Sequence, residues 1–325
     1  MPVLLILLLL AGSLALAAPA PVPLTVRNHT GVPLPAAPVR GGVPFARGVW
    51  QDKDVAVLTD PAGQALPCQA RPLAHWYDGS VKWLLVDTQV DLPADGAVTM
   101  SLNASRKAPT ARQVAIATQA DSLTVDTGPA KFLFSKRVFG APAAAWADLN
   151  GDGKWDTKVV TAPGEFVCAV EHNKPGEPQE ENWLRDAAGG PREQFTAAPT
   201  GDYQCVVESA NDLHAVLRLS GWLVNTRGRR LLQYVIRAHA YAGQPTLKLQ
   251  VTFVYAGKPK EDFIRRLVLT FPRVSQGPTR WSLGGRRPTA ASWPRVTRRS
   301  TSPPSGPRRS TTWRPTTRTR PSPTP

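Results

Sequence analysis

The chain of 325 residues carries 39 Lys and Arg against 24 Asp and Glu, a formal net charge of +15, and 42% of it is hydrophobic. That share fills the cores of two ordinary domains and excludes wholesale disorder, while the charge taken alone points to nucleic acid or another anionic polymer. The distribution weakens that pointer: eleven arginines and no Asp, Glu or Lys fall in residues 276–325, leaving 28 basic against 24 acidic residues, a net +4, on the first 275.

Residues Val3 to Leu16 form an apolar run ending in Ala15-Leu16-Ala17-Ala18, small residues at the spacing a signal peptidase accepts. Residues 1–18 are therefore expected to be an export signal, and the mature chain to be secreted or periplasmic. No later apolar run approaches membrane-spanning length, so no membrane partner is expected once the signal is cleaved. The cysteines, Cys68, Cys168 and Cys205, each sit in an apolar strand-like context. Buried free thiols and a Cys168–Cys205 bridge are both open. The sequons at Asn28 and Asn103 read as chance occurrences.

From Leu24 to Pro272 the pattern is of short strands separated by Gly, Pro, Asn and Asp, with no sustained helical period, and all-β is the expected class. Candidate strands are Pro23–Asn28, Val55–Thr59, Gln69–Trp76, Val81–Val90, Ala97–Leu102, Val114–Thr118, Ser122–Asp126 and Lys131–Ser135. Later come Gly164–Glu171, Tyr203–Ser209, His214–Asn225, Arg230–Ala240, Thr246–Tyr255 and Phe263–Phe271. Polar and small residues near Ala104–Arg112 mark a boundary, giving a first domain over 22–106 and a larger second one over 107–275.

Three local features carry chemistry. Asp78-Gly79 between apolar runs predicts a hairpin, with Trp76 and Trp83 as a cross-strand pair; alternatively Trp76 and Tyr77 offer aromatic faces to sugar rings. Arg237, His239 and Tyr241 alternate along one strand and are expected to share a face as a solvated or structural sheet surface; the alternatives are a donor, base and acid set or contacts to a carbohydrate. Asp148, Asn150, Asp152 and Asp156, with Gly153 at the sixth position, match the front half of an EF-hand-type loop, but Val159 stands where the bidentate Glu belongs. Structural calcium is the expectation there, with a metal-free Asx-rich turn as the alternative. The polar stretch Glu171–Arg192 reads as a solvated acidic loop or a binding loop.

Val26-Arg27-Asn28, Gly31-Val32-Pro33-Leu34, Gly42-Val43-Pro44-Phe45-Ala46-Arg47-Gly48, Leu66-Pro67, Gln69 and Trp76-x-Asp78-Gly79-Ser80-x-Lys82-Trp83 together resemble one known domain. It is the N-terminal RIFT-barrel domain of the exo-rhamnogalacturonan lyase (YetA-like) family. Val206-Val207-Glu208-Ser209, Gly221-Trp222, the stretch Arg237 to Pro245 and Asp262-Phe263-Ile264-Arg265 are similar to that family's central β-sandwich. The resemblance implies a small RIFT-type barrel followed by a larger antiparallel β-sandwich, and a partner that is a rhamnogalacturonan-type polysaccharide. It also implies a following α/α toroid, which is not legible here. Uronate β-elimination needs a base and cationic groups that the toroid would largely supply, so no catalytic residue is assigned. The expected function is the non-catalytic N-terminal part of an exported lyase-like protein; the alternative is a stand-alone carbohydrate-binding or structural β module.

In residues 276–325, Arg, Pro, Thr and Ser make up 38 of 50 positions, a composition that cannot bury a core and predicts disorder. The expected reading is an out-of-frame translation product replacing native sequence after about Val274, with a basic arm for an anionic polymer as the alternative. A specific nucleic-acid partner is not expected, since only this tail argues for one.

Overall fold

In the computed structural model the described residues are 20–105, 113–172, 192–197 and 202–272. The expected export signal, the tail over 276–325 and all but the ends of the Glu171–Arg192 stretch lie outside them. Among the described residues there is no helix. Nineteen strands form two β domains in sequence, the first a RIFT barrel and the second a β-sandwich.

The barrel contains β1 (Val22–Arg27), β2 (Leu34–Pro44), β3 (Val55–Thr59), β4 (Ala65–Leu66), β5 (Cys68–His75), β6 (Val81–Leu92) and β7 (Ala97–Ser105). These build a four-stranded sheet in the order β1-β7-β3-β4 and a three-stranded sheet β2-β6-β5, all antiparallel. Alternating side chains point inward, and Val43, Phe45, Trp50, Leu58, Val81, Leu84, Val86, Met100 and Leu102 fill the space between. Each such burial stabilises by about 2 kcal/mol relative to exposure.

In the sandwich, β8 (Ala115–Thr118), β9 (Ser122–Asp126), β10 (Ala130–Ser135), β11 (Ala144–Ala147) and β12 (Thr157–Val160) form one sheet in the order β12-β11-β10-β9-β8. The other contains β13 (Glu165–His172), β14 (Arg192–Thr196), β15 (Gln204–Ala210), β16 (His214–Val224), β17 (Arg230–Tyr241), β18 (Leu247–Tyr255) and β19 (Asp262–Thr270). Its order is β18-β17-β16-β14-β13-β19, with β15 also paired to β16. Phe132, Phe134, Phe166, Phe195, Leu217, Leu219 and Ile236 fill the core. Within it Tyr234 meets Phe139 and Phe166 edge-on, with ring centroids 5.5 and 5.7 Å apart. Gly221 is needed opposite it, because a Cβ there would stand 2.7 Å from the Tyr234 hydroxyl.

The strand pattern differs from the sequence reading in two ways. β2, β4, β11, β12 and β14 are additional strands. The Trp76–Trp83 pair does not form, because register shifts in β5 set Trp83 opposite Ala74 and Pro44 while Trp76 lies past the end of β5.

Candidate functional site

The β5–β6 hairpin is fixed by its own residues. The Trp76 N–H donates to the Ser80 carbonyl at 2.8 Å, and the Gly79 N–H to the Trp76 carbonyl at 3.0 Å. Gly79 has φ +82°, a conformation in which a Cβ is strained. Asp78 accepts from both the N–H and the hydroxyl of Ser80, at 3.1 and 2.6 Å, and those bonds hold its carboxyl below the usual range. Buried Ser80 in turn accepts from the Gly48 N–H at 2.8 Å, tying the turn to the loop after β2. The Trp76 indole donates to the Phe45 carbonyl at 3.0 Å and has the Lys82 ammonium 4.5 Å from its ring centre. Tyr77, 84% exposed at the tip, has the Arg47 guanidinium 4.9 Å from its ring.

A second polar assembly sits where barrel meets sandwich. Arg40, Gln69, Ala70, Arg71 and Asp87 of the barrel and Ser209, Ala210, Asn211 and His214 of the sandwich line a small recess open to solvent. Asp87, its side chain only 8% exposed, pairs with Arg40 at 3.2 Å and accepts from the Asn211 amide at 2.9 Å. Gln69 reaches Asp212 at 3.1 Å, Gln89 the Ala242 carbonyl at 2.7 Å, and Gln244 the Ala36 carbonyl at 3.0 Å.

The polar chain continues inward. Arg40 lies 3.4 Å from Nδ1 of His214, whose Nε2 is 3.0 Å from Nδ1 of His239. A guanidinium only donates, so Nδ1 of His214 accepts, its Nε2–H donates to His239, and the remaining proton of a neutral His239 is on Nε2. That atom is buried without a hydrogen-bond partner; Gln250 is near enough to favour the protonated ring without making a properly directed bond. Burial first, then His214, Lys248 and Arg40, push the His239 pKa down. Tyr241 stacks on His214 with centroids 4.4 Å apart, and burial followed by Asp87 pushes its phenol up. Arg40, Asp87 and the neighbouring pair Asn211 and His214 are far apart in sequence, and no motif joined them. The available signal was Asp87, an acid directly after the apolar run Trp83-Leu84-Leu85-Val86.

Arg237, His239 and Tyr241 share the outer face of β17, but their side chains do different things. Glu208 holds Arg237 through two bonds of 2.6 and 2.8 Å, which raise the guanidinium and lower the carboxyl. His239 and Tyr241 belong to the stack at the domain junction. No donor, base and acid converge there on a common point.

Across the sandwich, His172 lies between Asp262 and Glu193 at 2.9 and 2.8 Å, and Arg229 contacts both carboxylates. Burial would raise these acids, yet the Lys258 N–H and Arg229 hold Asp262 low, and Asn225 and His172 hold Glu193 low. Its charges answer one another, and this clasp ties β13, β14 and β19 to the β16–β17 turn.

The Asp148–Asp156 turn has a donor chemistry suited to a hard cation, with three carboxylates and an amide oxygen on nearby positions. Its oxygens meet its own backbone: Asp148 accepts from the Gly151 and Gly153 N–H groups at 2.7 and 2.8 Å, and Asp152 from the Lys154 N–H at 2.8 Å. Among the described residues no three His, Cys, Asp or Glu side chains are gathered as a metal set. Cys68, Cys168 and Cys205 are buried free thiols, pushed up by burial to about 12, 11 and 11. Asn28 is also buried and spends its amide on the Val32 and Pro93 carbonyls, at 2.7 and 2.9 Å.

Residues 25–101 match the family model described as the PcRGLX-like N-terminal RIFT barrel domain. Residues 114–278 match that of the PcRGLX-like protein central beta sandwich domain. No curated protein matches the chain.

Proposed function

The chain belongs to the PcRGLX-like family, a rhamnogalacturonan-lyase-like group, and from that premise we propose that it is the non-catalytic N-terminal part of an exported polysaccharide-lyase-like protein. In this reading it supports the binding or degradation of rhamnogalacturonan-type pectin. The observation that carries it is the match to barrel and sandwich in that order over one chain, with strands of the expected class under both matches. The aromatic and cationic hairpin tip, Trp76 and Tyr77 with Lys82 and Arg47, supports contact with an acidic glycan, since sugar C–H faces stack on rings and uronates seek cations. Arg237, His239 and Tyr241 serve as sheet and junction residues, with a glycan reaching them only along the outer face of β17.

Calcium has a structural part in this proposal, at Asp148, Asn150, Asp152 and Asp156, where Gly151 and Gly153 with φ of +77° and +81° let the loop curl. Calcium raising the melting temperature of the wild type, and not of Asp148→Ala, supports it; no shift in the wild type removes it.

The experiment is incubation of the full chain with rhamnogalacturonan, following both binding by calorimetry and unsaturated-uronate absorbance. Binding without absorbance is expected. Growth of the absorbance overturns the non-catalytic assignment. Neither signal overturns the glycan role and leaves a structural module.

A further inference from the structure

The outer face of the β2-β6-β5 sheet is laid out in cross-strand rows. The register places Arg40, Asp87 and Gln69 abreast, then Gly42, Leu85 and Arg71, then Pro44, Trp83 and Ala74. Residues paired across antiparallel strands share a face, so these rows form one surface, each about 7 Å from the next along the strand. The first row opens into the recess at the domain junction, and the last ends on an indole.

Trp83 differs from the other described tryptophans. Trp76, Trp146, Trp155 and Trp222 each have a Lys or Arg over the ring, and Trp50 is buried against Phe45. Trp83 is 41% exposed, and no ring or cation covers it among the described residues. It lies beside Gly42, where even a Cβ would sit 3.4 Å from Cε3, so the strand next to it places no side chain over that edge of the ring. An exposed indole with a glycine beside it is a flat apolar platform.

One row away, Arg71 is exposed and lines the recess, and no carboxylate or hydrogen-bond acceptor answers its guanidinium among the described residues. Arg40, by contrast, is paired with Asp87. The face therefore combines an uncovered ring with an unanswered cation about 7 Å along the strand.

We infer that the outer face of the β2-β6-β5 sheet is a binding track for an acidic, uronate-bearing saccharide, stacked on Trp83 with its carboxylate on Arg71. Stacking on an indole needs no particular hydroxyl pattern, whereas a bidentate carboxylate on Arg71 sets direction along the track and selects for acid. The inference deepens the glycan reading above and rests on it.

The test uses the full chain, with an oligosaccharide of the rhamnogalacturonan backbone and the same oligosaccharide with its carboxyls reduced to alcohols, each titrated by calorimetry. The wild type is expected to bind the acidic form more tightly. Trp83→Ala should weaken both forms by about tenfold or more, and Arg71→Gln should weaken only the acidic form, by about tenfold. Arg71 is exposed and makes no internal ion pair, so Arg71→Gln remains informative even if Trp83→Ala does not fold. If the wild type binds and Arg71→Gln binds the acidic form equally well, the track is wrong while the glycan role stands. Equal affinity of the wild type for both forms overturns the acidic class. No binding of either form by the wild type removes the glycan role and the track with it.

Discussion

His239 is kept neutral by burial, by a second histidine at 3.0 Å and by the cations Lys248 and Arg40. Facing it from neighbouring elements are Arg40 and Asp87 of the barrel, Glu208 on β15, His214 on β16, Tyr241 on β17, and Lys248 and Gln250 on β18; Gln250 and the Glu208 carboxylate favour its proton, and burial with the neighbouring histidine and cations outweighs them. The sign of the pH dependence follows. The folded-state pKa is below the unfolded value of about 6.5, so at lower pH the unfolded chain binds the extra proton first. Stability contributed by this site is complete above about pH 6.5 and falls as the pH drops through that value toward the folded pKa. His239→Gln retains an acceptor for His214 without titrating. Urea midpoints between pH 5 and 7.5 should therefore fall less steeply for the variant than for the wild type. Parallel profiles would mean that His239 is not held neutral by the fold.

At the level of strands and turns, the Asp78-Gly79 hairpin was legible because its signal is local: a left-handed glycine, a capping Asp and flanking apolar strands. Gly79→Ala puts a Cβ on a residue with φ +82° and is expected to cost about 1 kcal/mol. Chemical denaturation measures it, and an unchanged midpoint would show that the turn relaxes into another type. The long alternating strands of the sandwich were legible for a similar reason, since Leu232, Tyr234, Ile236 and Ala238 face one core. β2 was not, because Pro35, Pro38 and Pro44 with Gly41 and Gly42 read as loop. Its position resolves this. It is the edge of its sheet, where a missing N–H faces no partner strand, and a register shift between Leu34 and Ala37 takes up the irregularity. β11 and β12 are four residues each, too short for a period to emerge. The Trp76–Trp83 expectation failed on shifts within β5 that composition does not announce. The Arg40, Asp87 and His214 assembly was illegible for a different reason: it is made of contacts between residues up to 174 positions apart.

Barrel and sandwich share a junction whose described side-chain bonds are polar rather than apolar. Each domain has a hydrophobic cluster of its own, and what joins them runs through Asp87, Gln69, Gln89 and Gln244. Polar junctions of this kind hold two stable bodies in one orientation without fusing their cores, and the recess between them keeps its shape only while those bonds persist. Asp87 is the centre, answering Arg40 from its own domain and Asn211 from the other. Its removal leaves two donors, Arg40 and Asn211, without their shared acceptor, a loss of about 2–3 kcal/mol by the ordinary cost of breaking a largely buried charged contact. The consequence belongs to the whole molecule, because neither core contains Asp87. Asp87→Ala should lower the melting temperature and split the calorimetric transition into separate barrel and sandwich steps, with the wild type melting as one. Asn211→Ala, which leaves the Arg40 pair intact, should do the same to a smaller degree. A single, unshifted transition in Asp87→Ala would show that the domains are joined by something other than this polar seam.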